Sequence, residues 1–125
     1  MLKDIKTINL DIPTNYFCDV IMTTQASFEI NVRIQDKQGK VLFDKTRQSQ
    51  DAQPIINETF LSTSEGLLLT VSCAKSNNLD IRSTDMSIVT QVGVISKSYI
   101  LVAEDSGDDD YNDLWVAINA WRHEG

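Results

Sequence analysis

The chain has 125 residues, 42% hydrophobic and 23% charged, with 18 acids against 11 bases and a net charge of −7. That length suits one domain, residues 1–125, able to bury about two thirds of its unfolded surface without disulfide staples; no apolar run approaches the ~20 residues that span a bilayer. The acidic balance and the scattered Lys and Arg exclude a nucleic-acid groove, which needs a clustered basic face.

Met1-Leu2-Lys3-Asp4-Ile5-Lys6 lacks the apolar core and small-residue cleavage site of a secretory signal. Synthesis in the cytoplasm is expected, with later export or release to the cell surface left open. Strands are expected over residues 5–12 and 17–24. From residue 27 to 34 the alternation is strict: Phe28, Ile30, Val32 and Ile34 are apolar, and Ser27, Glu29, Asn31 and Arg33 are polar. Period two means a half-buried strand. The turn Gln35-Asp36-Lys37-Gln38-Gly39 leads into Val41-Leu42-Phe43 as a hairpin, with glycine supplying the bend.

Further strands are expected over residues 55–61, 67–74, 86–95, 99–103 and 114–121, and loops over 47–54 and 76–85. No helical pattern exceeds two turns, and no repeat or linker divides the chain. The fold class is all-β: a single-domain antiparallel β-sandwich of about nine strands. Cys18 and Cys73 each sit in an apolar stretch and read as small buried hydrophobes. With His123 as the only histidine, the usual zinc ligand spacing is missing.

Near the C-terminus, Glu104-Asp105-Ser106-Gly107-Asp108-Asp109-Asp110-Tyr111-Asn112-Asp113 packs six carboxylates and one carboxamide into ten residues. Without those six the chain would hold 12 acids against 11 bases, so nearly all the net charge lies in this loop. Crowded carboxylates raise one another's pKa unless a cation lies between them, and hard oxygen donors at this density suit calcium. A solvated charge run is the bland alternative, but Tyr111 and Asn112 interrupt the run and Leu114-Trp115 follow at once. An EF-hand is excluded: the loop lacks glycine at its sixth position and glutamate at its twelfth. Six charges exceed the need of one divalent ion; two calcium ions bridged by shared carboxylates would neutralise four and leave coordination positions for a hydroxylated ligand.

The decapeptide, the following Leu114-Trp115-Val116-Ala117-Ile118-Asn119 and the final glycine resemble the PA-IIL-like lectins, small bacterial two-calcium lectins that bind fucose and mannose. Weaker similarity runs through Ile12-Pro13-Thr14-Asn15, Ile30-Asn31-Val32 and Gln91-Val92-Gly93-Val94. The resemblance implies two calcium ions per subunit. One is held by Glu104, Asp108, Asp110 and Asp113. The other is held by Asp110, Asn112 and Asp113, with the backbone carbonyl of Thr23 and the terminal carboxylate of Gly125 of the partner subunit.

Sugar hydroxyls would then bind both ions, with Asp105 and Asp108 accepting hydrogen bonds and Asp110, Asn112 and Asp113 close by. The stretch that tunes fucose against mannose would be Thr24-Gln25-Ala26, where the family is rich in Ser and Gly. The tail after the loop runs about two residues longer than usual in the family. Partners implied are mannose- or fucose-containing glycans and further copies of the chain, as a homodimer or homotetramer through the C-terminal strand, with no nucleic acid and no membrane insertion.

Trp115 and Trp121 read as core or interface anchors before sugar-stacking platforms. No nucleophile and base pair is present, and the carboxylates crowd one loop instead of flanking a cleft, so an enzyme is not expected. The competing reading is a calcium-stabilised adhesin or interaction module that binds no sugar.

Overall fold

The computed structural model describes residues 4–26, 29–48, 55–73, 79–104 and 113–122. Among them lie nine strands and no helix: β1 Asp4–Leu10, β2 Tyr16–Thr24, β3 Ile30–Asp36, β4 Val41–Arg47, β5 Ile55–Leu61, β6 Leu67–Cys73, β7 Asp80–Thr90, β8 Gly93–Glu104 and β9 Leu114–Arg122. They form a four-stranded sheet, order β1-β6-β3-β4, and a five-stranded sheet, order β5-β2-β9-β8-β7, with antiparallel neighbours throughout. The expected β-sandwich is thus the observed fold.

Alternation places the core between the sheets. In β2 the even positions Cys18, Val20 and Met22 are fully buried, in β3 Ile30, Val32 and Ile34, in β6 Leu69 and Val71, and in β9 Leu114, Val116 and Ile118. Each such Val, Leu or Ile contributes about 1.5–3 kcal/mol of transfer free energy. Cys18 and Cys73, not joined in a disulfide, are buried among them, and burial pushes the Cys18 thiol up to about 12. The 5–12 strand ends early, at Leu10, because Ile12 turns fully into the core and Pro13 has no N–H for a ladder.

The two outer faces differ. On the four-stranded sheet the outward positions include Asn9, Thr70, Asn31, Arg33 and Asp44, tied by Arg33–Asp44 at 3.0 Å and by Asn31 Nδ2 donating to Asp44 Oδ1 at 2.7 Å. On the five-stranded sheet the register aligns Leu61, Phe17, Trp121, Ser96 and Ile88 in one row across all five strands. Ile55, Trp115, Ile100 and Met86 are also exposed there. Phe17 and Trp121 stack at 5.4 Å between ring centroids.

The region 76–95 departs from expectation. Residues 80–85 are strand, not loop, and the strand expected over 86–95 is broken by a two-residue turn at Gln91-Val92, after which β8 runs unbroken from Gly93. Gly93 has φ +104°, a left-handed conformation that glycine adopts without strain, and so closes the hairpin. One extra residue, Ile95, bulges β8 between the Ile88–Ser96 and Val89–Val94 pairs. The cause of the misreading is physical. The β7 edge is exposed on both faces, since four strands do not cover five, so its side chains carry no inside–outside alternation.

Candidate functional site

The acidic decapeptide joins β8 to β9, which are adjacent and antiparallel, so its two ends are brought together opposite Ala103–Leu114. Asp113 N–H donates to the Ala103 carbonyl at 3.2 Å, and Gln25 N–H donates to the Asp113 carbonyl at 3.1 Å. The second bond extends the β2–β9 ladder, in which Thr24 faces Leu114 and Thr23 faces Trp115. The fold therefore brings Thr23, Thr24 and Gln25, nearly ninety residues away in the chain, against the end of the acidic loop. Glu104 lies one strand beyond Asp113 and ends β8.

Glu104 is only 1% exposed. A carboxylate so buried is costly to keep ionised unless hydrogen bonds or a cation face it. Thr24 Oγ1 is buried with no hydrogen-bond partner among the described residues. Thr24, Glu104 and Asp113 bring oxygen donors to one end of the sandwich, a chemistry that suits calcium better than a thiolate- or imidazole-seeking metal. Among the described residues no cluster of three or more His, Cys, Asp and Glu side chains is close enough to hold an ion. Asp105, Asp108, Asp110, Asn112 and Gly125 lie outside the described residues, as does His123.

Of the three positions read as tuning the sugar, the pleat separates the roles. Thr24 and Ala26 point into the core and are buried, whereas Gln25 is exposed. Gln25 is thus the side chain of the three that a ligand in solvent can meet. Thr23 is half-buried in the ladder between Ile55 of β5 and Trp115 of β9.

Sequence reading missed Asp80, which the β7–β8 register sets directly opposite Glu104. Its side chain is half exposed and ion-paired with Arg82 at 3.4 Å. The only signal would have been recognition of β7 as a strand. Trp115 and Trp121 sit on the outer face of the five-stranded sheet, 38% and 42% exposed, so they are not core anchors. β9 is interior in its sheet, hydrogen-bonded to β2 on one edge and β8 on the other. Only its outward side chains are open to contact.

Comparison with known proteins agrees with this architecture. The profile of the fucose-binding lectin II (PA-IIL) family matches residues 9–122. No curated protein sequence matches the chain. Among solved structures, the high-affinity mannose-binding lectin of Ralstonia solanacearum superposes with a TM-score of 0.70 at 19% identity, covering 89% of this chain and 93% of that one. The C-terminal domain of the lectin BC2L-C from Burkholderia cenocepacia gives 0.71 at 20% identity, covering 93% and 97%. The Chromobacterium violaceum lectin CV2L, in complex with alpha-methyl-fucoside, gives 0.69 at 16% identity, covering 89% and 93%. The likeness in fold carries no detail of ligand at these identities, but the family match spans nearly the whole chain: it belongs to the PA-IIL family of lectins, carbohydrate-binding proteins and not enzymes.

Proposed function

We propose that this chain is a calcium-dependent lectin for fucose- or mannose-type monosaccharides, with its site at the loop from Glu104 to Asp113. The observation that carries the reading is the convergence of Thr23–Gln25, Asp113 and the buried Glu104 at one end of the sandwich, the end to which the six-carboxylate loop is pinned. Calcium, when bound, supplies the positive charge that the loop needs and coordination positions that hydroxyl oxygens fill.

In this reading Glu104, Asp108, Asp110 and Asp113 hold one ion. Asp110, Asn112 and Asp113 share the second with the Thr23 carbonyl and the terminal carboxylate of Gly125 of the partner subunit. Asp105 and Asp108 accept hydrogen bonds from the sugar. Gln25, exposed beside Asp113, is the side chain here that discriminates among rings. The matched family and the mannose- and fucoside-binding neighbours support this ligand class.

The same reading makes the protein a homo-oligomer joined by the outer face of the five-stranded sheet. Trp115, Trp121, Ile100, Met86 and Ile88 expose apolar surface of a kind that monomers rarely carry in one patch. An isologous contact would bury it twice over. Several sites per assembly would convert a modest monosaccharide affinity into avidity on a glycan-covered surface.

Glycan-array binding with and without EDTA tests the proposal. Chelator-sensitive binding to fucosylated or mannosylated glycans is the expected result. A calcium-dependent melting temperature with no glycan signal would favour the calcium-stabilised interaction module instead.

A further inference from the structure

At the pole opposite Glu104 and Asp113, a cleft of about 720 Å³ opens between the end of β1, the β3–β4 turn and the approach to β6. Small-molecule sites fall in the range of about 300–1,000 Å³. The rim is held by hydrogen bonds within the chain. Asp36 Oδ1 accepts from the N–H groups of Gln38 and Lys40 at 2.9 Å each, and its Oδ2 accepts from Thr63 Oγ1 at 2.6 Å. Ser64 Oγ accepts from Lys37 N–H at 3.1 Å and donates to the Gly66 carbonyl at 2.7 Å. Gly66 N–H donates to the Ile12 carbonyl at 2.9 Å, and Glu65 accepts from Thr14 N–H.

Gly66 itself has φ +91°, and a Cβ there would lie 3.2 Å from Lys37 Cε. The Lys37 stem therefore runs across the glycine along the rim. A rim fixed before any ligand arrives lowers the ordering cost of binding.

The chemistry of the lining is mixed in a specific way. The register sets Asn9, Leu68 and Gln35 in one row across β1, β6 and β3, so Leu68 is an apolar side chain flanked by two carboxamides, with Gln38 on the neighbouring turn; Leu10 and Leu67 turn into the core. Charge is dispersed: Lys37 contributes one ammonium, Glu65 is turned toward Thr14, and Asp11 is paired with Lys97 at 3.2 Å. Neither a phosphate nor a polycation finds a concentrated counter-charge here. Carboxamides both donate to and accept from neighbouring hydroxyls, and the Leu68 side chain between two of them matches the C–H face of a pyranose.

We propose that this cleft is a second, metal-independent saccharide site that takes a neutral pyranose unit, making each subunit bivalent with its two sites at opposite poles. The inference does not depend on the calcium-site reading, because the two poles share no residue.

Amide chemical shifts of the full chain in EDTA, titrated with methyl glucoside, methyl galactoside and methyl mannoside, test it. The expected result is movement of Gly39, Gly66 and the Gln38 side-chain amide with at least one glycoside, unchanged in Asp113→Asn. An Asn9→Ala/Gln35→Ala double variant should bind roughly tenfold more weakly, and Gln38→Ala should weaken binding independently. These side chains make no hydrogen bond that holds the described fold. No movement at this pole with any glycoside would overturn the proposal, as would affinity unchanged in both variants. So would movement with ethylammonium chloride and none with the glycosides, which would mark a charge site.

Discussion

The two poles of the sandwich use carboxylates in opposite ways. At the pole of the β3–β4 turn the described acids are answered from within the chain: Asp36 receives three hydrogen bonds, Glu65 receives the Thr14 N–H, and Asp11 meets Lys97. At the other pole six carboxylates stand within ten residues, in a chain with only 11 basic residues in all, and the ladder pins Asp113 against Thr23–Gln25. A carboxylate that completes a turn is a structural part; carboxylates crowded into one short stretch of sequence are an invitation to a cation. The same residue type is thus read by what surrounds it, and charge alone would not have separated Asp36 from Asp108.

The largest test of this contrast is Asp108→Asn. It should abolish chelator-sensitive binding to fucose or mannose while the β spectrum in saturating calcium stays in place; global unfolding would mean that the loop is mainly structural. Next in size is Trp121→Arg on the apolar outer face. It should reduce the assembly to monomers in sedimentation and weaken binding to a glycan-coated surface by about 10²-fold or more. Calcium itself should stabilise the fold by about 2.7 kcal/mol at a hundredfold excess over Kd, seen as a melting temperature that falls in EDTA. Asp108→Asn should blunt that difference.

Asp36→Ala should behave in the reverse way, lowering the melting temperature equally in calcium and in EDTA and leaving the chelator-sensitive glycan binding intact. The hydrogen bond from Thr63, with those from Lys40 and Gln38, holds the Asp36 carboxyl below its ordinary value of 3.8 against the opposing effect of burial. Its stabilisation is therefore complete above that ordinary value and lost as pH falls through the lowered one. The Thr14 bonds depress Glu65 in the same sense. Melting in EDTA should accordingly decline as pH falls below about 4, and less steeply in Asp36→Ala. The smallest effect is chemical: with its thiol raised to about 12 by burial, Cys18 should resist alkylation in the folded chain and react only on unfolding.

The strands with one buried face were legible because alternation reports burial: Ile30, Val32 and Ile34 in β3, and the buried half of β2. β7 was not, because an edge strand exposed on both sides loses that signal, and Gly93 then passed for an ordinary strand residue. At the candidate site, composition located the acidic loop, and the resemblance supplied Thr23–Ala26 as its neighbour; the ladder now joins Gln25 to Asp113. What no pattern disclosed was the burial of Glu104, the buried Thr24 hydroxyl, or Asp80 opposite Glu104, since each depends on pairing between distant strands. The cleft at the far pole is a product of three separate turns and has no sequence signature of its own.

The central claim is that the loop from Glu104 to Asp113 holds calcium on which a sugar sits. A crystal of the calcium-loaded chain soaked with methyl fucoside or methyl mannoside tests it most directly. The account predicts two ions among Glu104, Asp108, Asp110, Asn112 and Asp113, with sugar hydroxyls bound to both. A loop without calcium, or with calcium and no sugar in contact with it, would contradict the account.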